Sequence, residues 1–174
     1  MDLPASALFE AGDERLHADD LVVVLKSSRL VGLYDAGQLK GCWRVALGMG
    51  GGGDAGPKAR EGDLRTPEGW YRTSDRPASR YYHAIFLNYP NLADADRGLA
   101  AGLIDGATRD AIAEASRQGD APPQDTALGS YLLFHGGGNA ADWTLGCVAL
   151  ADADIDALRA QLPGGMRTWA LLLP

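Results

Sequence analysis

Cysteine is scarce in this chain of 174 residues: Cys42 and Cys147 are the two present, too few for a disulfide framework. Long apolar runs are missing too. None approaches the roughly 18–20 residues that cross a bilayer as a helix, so a soluble globular protein without membrane insertion is expected. Lysine and arginine form no block, and 16 of them against 23 Asp and Glu leave a net charge of −7. That balance disfavours nucleic acid and anionic lipid as partners. No two His, Cys or acidic residues show zinc-type spacing, so no metal or other cofactor is expected. Residues 1–10 lack the basic and apolar regions of a secretory signal and are not read as one.

What is present is a series of short strands. Segments 21–25, 29–34 and 40–47 are apolar, β-branched or aromatic runs separated by turn residues, which predicts a β-meander. The stretch 48–69 is rich in Gly, Pro and charge and reads as a surface connection. It opens on Gly48-Met49-Gly50-Gly51-Gly52-Gly53, a G-x-G-x-x-G spacing. Because Asp54-Ala55-Gly56-Pro57 starts no helix behind it, a flexible connection is preferred to a dinucleotide site. Strands are expected at 70–73 and at 81–87, the second stopped by Asn88-Tyr89-Pro90-Asn91. Apolar residues at three- and four-residue steps from Leu99 to Ala115 predict helix, best over 107–118 because Gly102 and Gly106 weaken the earlier half. Beyond Pro122-Pro123, strands are expected at 130–134, 148–150 and 168–173, with a helix capped by Asp152 or Asp154 and running to about 162. There is no internal repeat or interdomain linker. The fold class is mainly β (α+β), a β-sandwich with two short helical segments, with 1–19 as an N-terminal extension to a domain at 20–174.

The densest chemistry lies between His135 and Cys147. Strand 130–134 ends on His135, followed by Gly136-Gly137-Gly138 and then, with Cys147 twelve residues after the histidine, by Gly146-Cys147. A thiol attacks as thiolate, and with an ordinary pKa of about 8.5 it benefits from an imidazole that takes its proton. A strand-end histidine and a buried cysteine would give the same spacing. Gly146 lets backbone approach a substrate, and the amides of Gly146 and Cys147 are candidates to face an oxyanion. Thr144 is read as a nearby hydrogen-bonding hydroxyl or as a turn former. Trp143 is read as packing on substrate or anchoring its loop, and Cys42 as a core thiol. His83, beside Tyr82, is read as lining a groove or facing solvent. Lys58, Arg60 and Arg65 are loop charges or ligands.

Two motifs resemble the YkuD-type L,D-transpeptidase family. His135-Gly136 followed by Thr144-Leu145-Gly146-Cys147-Val148 is similar to its His-Gly and Ser/Thr-x-Gly-Cys-hydrophobic elements. The stretch from Gly56 through Lys58, Glu61, Gly62, Asp63, Thr66 and Pro67 to Gly69 resembles its G-x-K-x-x-E-G-D-x-x-T-P-x-G segment. The match runs on through Tyr82 and Leu87 to Tyr89-Pro90-Asn91 and covers about 21–162. The resemblance implies a catalytic domain acting on peptidoglycan stem peptides in the periplasm or cell envelope. Cys147 would attack the carbonyl of the diamino acid at stem position three and expel D-Ala. An amine of a second stem would then resolve the thioester. His135 would be the base, its ring steadied by a backbone carbonyl or by the residue after it, Gly136. Lys58, Arg60, Arg65, Tyr82, His83, Gly136 and Trp143 are the substrate-binding candidates, and Cys147, His135, Gly146 and Thr144 the catalytic ones. Two positions depart from the common pattern: Leu145 stands where a second histidine is usual, and Ala149 where an arginine is. These departures keep open an L,D-carboxypeptidase with water as acceptor, or an inactive wall-binding homologue.

Overall fold

The computed structural model describes residues 12–51, 56–76, 79–163 and 167–174. Most of the expected N-terminal extension and the last two glycines of the G-x-G-x-x-G stretch therefore lie outside the described residues. Strands β1 (Leu21–Leu25), β2 (Leu30–Asp35) and β3 (Gln38–Arg44) form the predicted antiparallel meander. β1 is apolar at all five positions because both of its faces are covered. Val22 and Val24 enter the main core, while Leu21, Val23 and Leu25 pack with Leu16 of a 3-10 turn (Glu14–His17), Tyr34 and Leu171.

The remaining strands are β4 (Gly69–Arg76), β5 (Ala84–Leu87), β6 (Leu133–His135), β7 (Val148–Ala149) and β8 (Trp169–Leu173). Together the eight form one sheet in the order β3-β2-β1-β8-β4-β5-β6-β7. Pairs β1/β8 and β6/β7 are parallel; the others are antiparallel. The sheet curls so that its far ends meet. Just beyond β3, Ala46 exchanges two 2.8 Å backbone hydrogen bonds with Ala149 of β7, and Gly48 bridges Thr144. The expected mainly β fold is thus built as one curled sheet folded on itself, and its closing seam runs through the segment that carries Cys147.

Three helices cover the sheet where two were expected: α1 (Leu92–Ala100), α2 (Gly106–Gln118) and α3 (Asp152–Gln161). α1 is begun by a reciprocal capping box between Asn91 and Asp94. Gly102, at φ +70°, separates it from α2. The expected cap of α3 is also corrected. Ala151 occupies the N-cap with no side-chain bond, and Asp152 directs its carboxylate away from its own helix. Strands 81–87 and 130–134 shorten to β5 and β6 because Tyr82 (φ +78°) and Tyr131 (φ +54°) adopt left-handed backbone, which breaks extended pairing. No described helix is long and apolar enough to cross a membrane.

Candidate active site

The G-x-K-x-x-E-G-D-x-x-T-P segment is held by two buried cations. Lys26, fully buried, donates to Glu68 (2.6 Å), Gly56 O (3.0 Å) and Thr66 O (3.1 Å). Asp63 gathers Lys58 Nζ (2.8 Å) and the amides of Ala59, Arg60 and Arg65. Burial pushes the Asp63 carboxyl up, but Lys58 and the three amides more than offset it and leave its pKa below the ordinary value. The loop is thereby pressed against the seam: Thr66 Oγ1 accepts from Gly48 N–H at 2.9 Å. Gly48 and Gly50 lie so close to Leu64 and Asp63 that an added Cβ would come within 2.1 and 2.2 Å of their carbonyl oxygens. The described start of the glycine stretch is thus packed backbone, not a flexible connection.

Cys147 precedes β7, which runs parallel to β6 with Phe134 paired to Val148 and His135 to Ala149. Carrying that register one residue back sets Cys147 beside Leu133, two residues before His135. Two residues distant in their loop are thus fixed on neighbouring strands. Thr144 closes the turn that presents the thiol, donating to Cys147 O at 2.7 Å and accepting Gly146 N–H at 3.2 Å. The threonine hydroxyl is therefore a turn former. The Gly146 amide is engaged in the same turn, whereas among the described residues the Cys147 amide has no acceptor within the protein. Gly146 sits at φ +132°, and a Cβ there would lie 2.7 Å from Arg65 O. Arg65 thus supports the nucleophile loop through its backbone.

The His135 ring is buried, and its Nδ1 lies 2.5 Å from Gly136 O. A carbonyl only accepts, so Nδ1 carries the proton and Nε2 keeps its lone pair. Burial lowers the imidazole pKa, partly opposed by the Gly136 bond, so the ring is neutral near pH 7. Tyr81 stacks on it at 4.7 Å and 24°, and Trp143 meets it edge-on at 5.5 Å. The glycine turn is clamped from outside: Gly136 N–H donates to His83 O (3.1 Å), Gly137 N–H to Asp152 Oδ1 (2.7 Å) and Trp143 Nε1–H to Gly138 O (3.0 Å). Asp152 is the residue that leaves α3 uncapped. Burial also raises the Cys147 pKa, against which the Leu133 amide, Lys58 and Arg80 act. The resting thiol is directed at Tyr131 O, 3.9 Å away. Neutral thiol beside neutral imidazole suits proton transfer during attack and does not require a standing ion pair.

Both groups line one groove of about 840 Å³. Of the residues singled out in the sequence, Cys147, His135, Thr144, Lys58 and Trp143 lie in its wall. Gly136 and Gly146 stand behind it. Arg60, Arg65, Tyr82 and His83 are not in the wall. Tyr82 Oη donates to Asp156 (2.9 Å) and His83 Nδ1 lies 2.6 Å from the same carboxylate, so both dock α3 on the outside. Glu61 of the second motif also lines the groove, whereas sequence reasoning missed Arg80, Tyr81 and Tyr131, which line it too. Their aromatic and charged character next to Tyr82 and Ser130 was the available signal. Among the described residues no three His, Cys, Asp or Glu side chains converge as a metal site would require.

The chain is similar to YafK of Escherichia coli, with 28% identity over 144 residues; these span 79% of this chain and 44% of that protein. The chain thus covers less than half the length of the curated relative it matches. In fold it is similar to the helical cell shape determining protein Pgp2 from Campylobacter jejuni, at TM-score 0.56 and 23% identity over 95% of this chain and 53% of that one. An L,D-transpeptidase from Xylanimonas cellulosilytica aligns at TM-score 0.50 and 15% identity, over 99% and 70%. The family model of the L,D-transpeptidase catalytic domain, YkuD, matches residues 19–169. With that match spanning both motifs and the seam between them, the chain belongs to the YkuD L,D-transpeptidase catalytic domain family.

Proposed function

We propose that the protein is a cysteine acyltransferase of the cell envelope acting on peptidoglycan tetrapeptide stems. Cys147 would cleave the bond between the diamino acid and D-Ala through a thioester, and an amine would accept the acyl group. The observation that carries this reading is the shared groove: a half-buried thiol and a neutral imidazole with its Nε2 lone pair free of the Gly136 bond. The Cys147 amide is the donor left to meet an oxyanion. Tyr81, Tyr131 and Trp143 supply apolar wall for a peptide.

A second reading, an L,D-carboxypeptidase with water as acceptor, is favoured by Leu145. This residue is 59% exposed and lines the groove where the common pattern has a histidine, leaving His135 as the one base in the motif. Tetrapeptide muropeptides incubated with and without an acceptor stem separate the two by mass. Dimer formation supports transfer to an amine, and D-Ala loss with water addition supports hydrolysis. Activity surviving in Cys147→Ala would sink both. Failure of Cys147 to form a carbapenem or thiol-reagent adduct faster than Cys42 would leave an inactive wall-binding homologue.

A further inference from the structure

The common pattern places an arginine two residues after the nucleophile; here that position is Ala149, fully buried in β7. The groove nevertheless has a guanidinium in its wall. Arg80 lines it together with Cys147 and His135, is exposed, and among the described residues has no carboxylate partner. The other charges in the wall are Lys58, engaged by Asp63 and Arg60 O, and Glu61. Arg80 lies over the Tyr81 ring at 4.8 Å, and that ring stacks on His135 at 4.7 Å. Guanidinium, phenol and imidazole therefore form a short series that ends at the candidate acid–base.

Resting on the reading of Cys147 as nucleophile and His135 as base, we propose that Arg80 anchors the C-terminal carboxylate of the leaving residue and selects donors that end one residue beyond the scissile bond. The chemistry places that carboxylate on the His135 side. Cys147 Sγ bonds to the carbonyl carbon while its proton passes to His135 Nε2. The C–N bond then breaks and that proton goes to the departing nitrogen. The residue leaves as a free amino acid and the acyl group stays on sulfur. One residue reaches about 3.5 Å, with a hydrogen bond of about 3 Å at either end, comparable to the longest imidazole–guanidinium separation that the two contacts with the Tyr81 ring allow. A two-residue tail overshoots it. Planar, permanently charged and with paired donors, a guanidinium suits a carboxylate better than an ammonium does.

Three synthetic donors test this: the tetrapeptide stem as free acid, as C-terminal amide, and lengthened by one residue. Each is assayed with the wild type, Arg80→Ala and Arg80→Lys, with Cys147→Ala as blank. The wild type should prefer the free acid over the amide by roughly ten- to hundredfold in kcat/KM, mainly through KM, and should disfavour the lengthened donor similarly. Arg80→Ala should bring the acid-to-amide ratio of kcat/KM close to one, whatever its effect on the absolute rates, and Arg80→Lys should keep part of the preference. Equal turnover of acid and amide by the wild type, or a preference that survives Arg80→Ala, overturns the role of Arg80 and leaves the Cys147 reading intact. Cleavage of no donor, with Cys147 unreactive toward iodoacetamide, overturns both.

Discussion

Replacing Gly146 by alanine tests how the nucleophile is presented. At φ +132° the backbone is in a region that L side chains rarely adopt, and the new Cβ would lie 2.7 Å from Arg65 O and 3.2 Å from Leu132 Cδ2. The first contact is with backbone pinned by Asp63 and Thr66, so it cannot be relieved by turning a side chain. Conformational strain of about 1–3 kcal/mol and overpacking of about 1–3 kcal/mol give a destabilisation of about 2–6 kcal/mol. For a chain of this size that lowers Tm by roughly 4–24 °C. Gly138 supplies the control: it has φ +107°, yet a Cβ there meets nothing within 4 Å, so Gly138→Ala carries the conformational cost alone. Urea and thermal unfolding of both variants would separate the two effects. Iodoacetamide labelling at a temperature where both are folded would report whether Cys147 has moved. A Gly146→Ala protein no less stable than Gly138→Ala, with unchanged Cys147 labelling, would refute the claim that Arg65 O and Gly146 are locked together under the nucleophile.

Three further outcomes are expected. Because burial raises the Cys147 pKa and lowers that of His135, the rate of Cys147 alkylation should climb with pH through a value above the ordinary thiol range. A reactive plateau between pH 5 and 7, the mark of a thiolate–imidazolium pair, would contradict the neutral resting state. Asp152→Ala should slow turnover roughly tenfold by freeing Gly137 N–H and the glycine turn after His135, whereas Asp152→Asn, which keeps an acceptor oxygen, should restore most of the rate; equal loss in both variants would point to charge, not to the hydrogen bond. Asp94 is raised from 3.8 to about 6, chiefly by burial, against its bonds to Asn91, Tyr71 and Arg97. The folded state therefore binds the extra proton, and the resulting stabilisation, on the order of 3 kcal/mol, is complete below about pH 4 and lost as pH rises through 6. Asp94→Asn should lack that loss, and parallel urea-stability curves for the two proteins from pH 4 to 7 would be the contrary result.

The strand runs were legible because β1, β2 and β8 are continuous or alternating apolar segments whose character follows from burial alone. The third helix was not anticipated because Gly98 and Gly102 dilute the periodicity of 92–118. Its actual signals were local: the Asn91–Asp94 capping box and the positive φ of Gly102. Asp152 looked like a helix cap because acidic residues favour that place, but Gly137 N–H, brought alongside by the β6/β7 pairing, claims its carboxylate. The same limit applies to the substrate candidates. Tyr82 and His83 are adjacent in sequence to the groove residues Arg80 and Tyr81, yet the left-handed backbone at Tyr82 turns the chain outward to Asp156.

By itself the sequence determined the two motifs, the candidate nucleophile and base, and a mainly β chain with short helices. These depend on residue identity and on spacing along a few turns of backbone. Tertiary structure decided the closing of the sheet at Ala46 and Ala149, the Nδ1–H tautomer of His135, and which cations reach the groove. Those features arise from contacts between residues tens of positions apart, where burial and backbone pairing set which hydrogen bonds and charges remain for chemistry.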